Sequence, residues 1–308
     1  MKKLFSLILV FMLTITLFTP ATFGANNNKG MEQSEMVMAK QALVKKYQHN
    51  AVPMNKKQLK ERSLEVEAAL HKIAEADMSG EELEKELDRL GLVEFKYEDG
   101  EEEALSDFGI MAASNDVTLR TPVIYYDQYS KQWFVTASGY WHGTSWFGDV
   151  TNIWNLNQIK NVGNLDAVGI TYYGTSGTPA PQTGGSLNVN DGHGWSANYA
   201  NPSYGDGSKG IAFEFQDKIQ YVTRPPIGSS IKAEHCRFLG KNFSVAVTYS
   251  PAFSFYHGKA RMFLTHTWDT TYIDSISFNG SNTSFGASVT LKNAGKGWTI
   301  FNNADKVF

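Results

Sequence analysis

Beyond Glu103 the chain holds two glutamates, Glu214 and Glu234. Two carboxylates with separated pKa values can run a hydrolysis, one as acid and one as base. They are therefore the candidate catalytic residues, with Asp127, Asp149, Asp191, Asp206, Asp217, Asp269 and Asp274 as other acid/base groups. Glu214 sits between Phe213 and Phe215 on the polar side of an alternating run, where a carboxylate is equally at home simply solvated. No G-x-S-x-G elbow, no HExxH and no pair of CxxC motifs occurs, so the residues lean away from an enzyme.

Metal chemistry finds little here. His142, His193, His235, His257 and His266 are scattered, and no metal site and no cofactor is assigned. His266 falls between Leu264 and Trp268 on an apolar strand face and reads as a core residue. The loop from Asn188 to Trp195 clusters oxygen donors, which makes calcium the one ion considered. It lacks the acidic first position and the bidentate glutamate of an EF-hand, and Asn, Asp and Gly build tight turns without an ion. Cys236 is the single cysteine and cannot close an internal disulfide. His235 beside it would point to the opposite face of a strand over Ile231–Phe238, so Cys236 reads as a small buried hydrophobe.

Aromatic residues are the most distinctive feature. Trp141, Trp146, Trp195, Tyr199 and Tyr204 lie among Gly, Ser and Asn. Such side chains offer a flat apolar face with a polar tip, which suits stacking on sugar rings. With Asn190 and Asp191 as hydrogen-bonding neighbours, they form the candidate ligand-binding set for a glycan or cell-envelope polymer. The competing account is that aromatics fill the core, and Trp133 and Trp268 on alternating strands are read that way. The uncharged, alternating run Phe243–Tyr256 raises a membrane hairpin, but each arm falls short of the ~9–11 residues a transmembrane strand needs. A core hairpin is expected there.

The elements that must position these residues follow from composition. Net charge is −3 with a pI near 6.2, and no basic stripe runs through the chain, which excludes a nucleic-acid partner. Residues 1–25 have a basic start, an apolar stretch and small residues at Gly24 and Ala25, the pattern of a removable export signal. No later segment predicts a stable membrane span once the signal is gone. Residues 26–97 are charged, lack tryptophan and carry helical apolar spacing at Leu59, Val66, Leu70 and Ile73. Asn55 with Gln58 predicts a helix start, as does Ser79 with Glu82, and Gly91 a stop. Residues 98–116 read as an acidic, small-residue linker. Residues 117–308 hold all seven tryptophans and alternate in character every second residue, as strands do. Asn279-Gly280 predicts a hairpin turn.

The expected fold is α+β: a short helical segment, then a mainly antiparallel β domain, a β-sandwich with a barrel as the alternative. The expected function is that of a bacterial secreted, extracellular binding protein. The alternatives are a hydrolase made as a zymogen, with 26–97 as its pro-region, and a toxin or antimicrobial factor with the same removable segment. No oligomeric state is assigned.

Overall fold

In β12 (Asn242–Tyr249), Phe243, Val245, Val247 and Tyr249 share one face, while Ser244, Ala246 and Thr248 share the other. All seven are buried. A strand buried on both faces needs a layer above and a layer below, and the fold supplies both.

The structure is a computed structural model describing residues 27–97, 116–150, 153, 155–176, 182–279, 286–293, 297–302 and 305–308. The leader read over 1–25 and nearly all of the linker read over 98–116 lie outside the described residues. Residues up to Glu35 form one unit and residues 36–308 another, and the account below concerns the second.

The larger sheet has seven strands. Its order is β1 (Leu92–Glu94), β3 (Val123–Asp127), β4 (Trp133–Trp141), β12, β7 (Gly184–Asn190) and β8 (Ser196–Tyr199), with β2 (Val117–Leu119) also on β4. A five-stranded sheet runs β16 (Gly297–Phe301), β13 (His257–Thr267), β6 (Asp166–Ser176) and β9 (Gly210–Phe215), with β17 (Lys306–Val307) on β13. A third sheet joins β11 (Cys236–Leu239), β10 (Lys218–Tyr221) and β5 (Ile159–Asn161). The last pair, β14 (Tyr272–Phe278) and β15 (Ala287–Lys292), stands alone. Every described pairing is antiparallel, and no described sheet closes into a barrel. The two large sheets face each other in a sandwich-like α+β fold. Val135, Leu187, Val245 and Val247 of one meet Val168, Ile170, Met262 and Leu264 of the other in one core. Burying each of these side chains stabilises the fold by roughly 1.5–3 kcal/mol.

The outer face of the seven-stranded sheet is covered by helices. These are α2 (Lys56–Glu75) and α3 (Gly80–Leu90), whereas α1 (Asn27–Tyr47) joins the inner core through Met36, Leu43 and Tyr47. The capping box forms as its spacing requires: Asn55 Oδ1 accepts the Gln58 amide at 3.0 Å, and Gln58 Oε1 accepts the Asn55 amide at 2.9 Å. Val66, Leu70 and Ile73 of α2, with Leu87, Leu90 and Leu92, pack on Tyr125 and Phe134 of the sheet. Gly91 ends α3 at φ 68°, and a Cβ there would lie 2.1 Å from the Tyr129 ring. Ser79 precedes α3, but its side chain makes no capping bond. Residues 36–97 thus supply both a strand and a cover to the β architecture.

The outer face of the five-stranded sheet is covered by the β14–β15 hairpin. Ile273, Ile276 and Ala287 sit on Ala167, Ala212 and Phe263. Residues 36–308 therefore stack in four layers: helices, sheet, sheet, hairpin.

Two local expectations are corrected. The strand read over Ile231–Phe238 begins only at Cys236, because a 3-10 turn at Ala233–His235 comes first. The run Phe243–Tyr256 is not a hairpin. Its first half is β12, hydrogen-bonded to β4 and β7, and its second half is a 3-10 helix at Pro251–Phe255.

Candidate functional site

The fold places the residues singled out above in very different settings. Trp141 closes β4 and is 2% exposed, packed against Trp298, Phe238 and His266. Trp146 is 6% exposed and lies flat on Phe238, ring centroids 4.3 Å apart. Neither offers a face to solvent. Both follow Gly- and Ser-containing stretches, and turn residues flank a buried aromatic as readily as an exposed one. Trp195 and Tyr199 are half-buried and packed against the same core. Burial raises the Tyr199 phenol pKa, and the nearby Asp217 carboxylate adds to that. Tyr204 is half-buried, and its hydroxyl donates to Glu214 at 2.9 Å. Burial, then that bond, pushes the phenol up to about 12. The five aromatics thus form no single stacking platform.

The Asn188–Trp195 loop spends its oxygens on itself. Asn190 Oδ1 accepts the Gly192 amide at 2.9 Å, and Asp191 Oδ1 accepts the amides of His193 at 2.8 Å and Trp195 at 2.9 Å. Arg237 donates to the other Asp191 oxygen. Burial works to raise the Asp191 pKa, but the Arg237 bond and the two amides outweigh it and hold the carboxyl below its ordinary range. This is turn chemistry closed by an ion pair.

The two glutamates are not brought together. Glu214 is on β9, while Glu234 is exposed in the turn before β11. No described hydrogen bond or ion pair joins them, so the acid/base pair a hydrolase needs is not assembled. Burial pushes the Cys236 thiol up to about 11, away from the thiolate a nucleophile requires.

What the fold does set apart is the β14–β15 hairpin. Its register pairs Ile273 with Leu291, Ile276 with Val289 and Phe278 with Ala287. Apolar side chains turn toward the five-stranded sheet, and Ser275, Ser277, Ser288 and Thr290 turn outward, exposed. Among the described residues no ladder joins either strand to another sheet. The seat is shaped for it. A Cβ on Gly210 would lie 2.0 Å from the Phe278 ring, and one on Gly286 would lie 2.2 Å from Thr171 Oγ1. At the open end Lys292 Nζ is 2.6 Å from Asp274 Oδ1, an exposed ion pair. From Ser275 to Leu291 the sequence holds no charged residue. The Asn279-Gly280 turn read from the sequence falls at Gly280 outside the described residues, and the Asn279 amide donates to the Gly286 carbonyl at 2.7 Å, so the connection is longer than a two-residue turn. That no described ladder joins the hairpin to another sheet is a three-dimensional fact.

The fold also gathers Asp166, Asp217 and His266, which lie far apart in sequence and were not grouped there.

No described helix is long and apolar enough to cross a membrane. No protein-family model matches the chain, and no curated protein matches it. Among solved structures, a pore forming protein is similar over 60% of this chain and 89% of its own, at 8% identity and a TM-score of 0.19. The membrane-inserted form of the Clostridium perfringens NetB toxin is similar over 63% and 98%, at 7% identity and a TM-score of 0.17. Likenesses this slight carry no argument about fold or activity.

Proposed function

We propose that the protein acts on lipid bilayers and that the β14–β15 hairpin is the segment it inserts. One observation carries this reading: an amphipathic hairpin, uncharged from Ser275 to Leu291, covers the core without sharing a ladder with any other described strand. Lifting it off breaks apolar contacts and no described main-chain ladder. A strand that crosses a membrane needs ~9–11 residues with one apolar and one polar face. β14 and β15 supply seven and six residues of such arms, and the inserted form would have to extend both into the residues that join them. Ile276, Phe278, Val289 and Leu291 would face lipid, while Ser277, Ser288 and Thr290 would face water.

One hairpin leaves two open edges, which hydrocarbon does not tolerate. Several copies must therefore contribute hairpins to one closed barrel. The export signal read over residues 1–25 would deliver the chain to the outer surface of membranes. This is the toxin-like alternative of the sequence reading. It takes precedence over glycan binding because Trp141 and Trp146 lie in the core, and over hydrolysis because Glu214 and Glu234 lie apart.

Dye release from liposomes and planar-bilayer recording test it. The expected result is dye release by the mature chain and discrete conductance steps. A Thr290→Lys variant should keep the conductance and shift its selectivity toward anions, because the outward face would line the lumen. No release from liposomes of varied lipid and sterol content, with or without protease treatment, would sink the reading.

A further inference from the structure

Asp166 opens β6, His266 lies near the end of β13, and Asp217 occupies the short link between β9 and β10. The three side chains are 1%, 0% and 0% exposed, and one ligating atom from each lies within 4.8 Å of the other two. Asp166 Oδ2 is 2.7 Å from His266 Nδ1, and Asp166 Oδ1 accepts the Thr267 amide at 2.9 Å. Gln216 Nε2 donates to the Asp217 carbonyl at 3.0 Å and lies 3.4 Å from Asp217 Oδ1. Trp141, Trp268 and Trp298 wall the imidazole, with ring centroids 5.0, 4.7 and 5.4 Å from it.

Two carboxylates this close, behind aromatic walls, repel each other and are poorly solvated. An imidazolium would offset one negative charge. A divalent cation offsets both and also takes the imidazole lone pair. One nitrogen and two carboxylate donors suit zinc, which is held at ~2.0–2.2 Å in four-coordinate sites. The surrounding bonds already orient the donors. Thr267 holds one Asp166 oxygen, the other already faces the imidazole, and Gln216 braces Asp217.

We propose that Asp166, Asp217 and His266 form a buried structural site for one divalent cation, zinc by its donor set. It would tie three separate segments of the sandwich at the edge where the five-stranded and three-stranded sheets meet. The site is independent of the membrane reading, because none of its residues belongs to the hairpin.

The test uses the untagged full chain, expressed with zinc in the medium. Elemental analysis should find about one zinc per chain after dialysis. Stripping with a chelator should lower the melting temperature by ~3 °C or more, and ZnCl2 should restore it. Cobalt(II) added to the stripped protein should give the visible absorption of a low-coordinate site. Asp217→Asn should abolish both the recovery and the cobalt spectrum while keeping the far-ultraviolet circular dichroism. If that variant does not fold, the stripped wild-type chain decides the matter. Trace zinc, together with no melting shift on adding ZnCl2 or MnCl2 to the stripped chain, overturns the proposal. So does an equal shift in a folded Asp217→Asn variant.

Discussion

The two covers of the sandwich are built on opposite principles. The helical cover is bolted down with buried polar groups. Glu67 of α2 accepts hydrogen bonds from Thr248 at 2.5 Å and Ser186 at 2.8 Å, and His71 bonds Ser244 at 2.7 Å and Ser186 at 2.9 Å. Arg62 grips the fully buried Asp127 through two bonds of 2.9 and 3.1 Å and also donates to the Leu90 carbonyl. On the inner core rather than this face, Lys40 of α1 is likewise fully buried beside the rings of Phe253 and Phe308 and donates to the carbonyls of Phe253 and Tyr256. The hairpin cover touches the sheet chiefly through Ile, Ala and Phe, with its ion pair outside. Buried polar contacts are costly to leave half-made, so they resist partial opening. Apolar contacts are non-directional and can be exchanged for lipid. The first cover is made to stay and the second can leave.

The largest expected effect lies on the helical side. Arg62→Met strands the buried Asp127 charge and should cost about 3–5 kcal/mol in urea unfolding. A loss under ~1 kcal/mol would show that the helical cover is no more firmly held than the hairpin.

Acid should separate the covers next. Burial holds the His71 pKa down to about 4, from an ordinary 6.5. Between those values the unfolded chain binds the proton and the folded chain does not, so His71 stability is full above pH 6.5 and fades toward pH 4. The loss is on the order of 3 kcal/mol. Glu67, raised mainly by burial, works the other way: its share is full below its ordinary value and fades as pH rises through its folded pKa. A His71→Gln variant isolates the first term and should flatten the slope between pH 4 and 6.5. An unchanged slope would place the acid sensitivity elsewhere.

On the hairpin side, Gly210→Val pushes against Phe278 and should cost about 1–3 kcal/mol. The sharper readout is local. Limited proteolysis should cut within 272–292 while β12 amides keep their protection against hydrogen exchange. Protection lost equally throughout would mean that the hairpin is part of the cooperative core. The smallest effect is expected from Asp274→Ala, within ~0.5 kcal/mol, because an exposed ion pair contributes little.

Much of this contrast was legible in part. The capping box at Asn55, the stop at Gly91 and the alternation of Phe243–Tyr249 and Ile211–Phe215 all follow from local rules, and the α+β layout follows from them. Which aromatics are buried was not legible. Trp141 ends a strand that β12 and β2 flank, and only that pairing carries it inward. Asp166, Asp217 and His266 could not be grouped from the sequence because strand pairing over 100 residues brings two of them together. Glu67 and His71 carry no sequence signal that sets them apart from the other polar residues of α2. Their partners sit on the Ser/Thr face of β12, which looked like a surface facing water.

The reach of those helical contacts has a kinetic consequence. Glu67 meets Thr248 across 181 residues of sequence, and His71 meets Ser244 across 173, whereas the hairpin pairs residues from Phe278 with Ala287 to Tyr272 with Lys292, 9 to 20 positions apart. Local pairings close in microseconds, but distant ones must wait for loop closure. As the chain emerges from its amino end, α2 forms early and then stays unsatisfied until β12 has been made. The last step of maturation should be the docking of the first helices onto a sheet completed late, and slow refolding should report on α2 rather than on the hairpin.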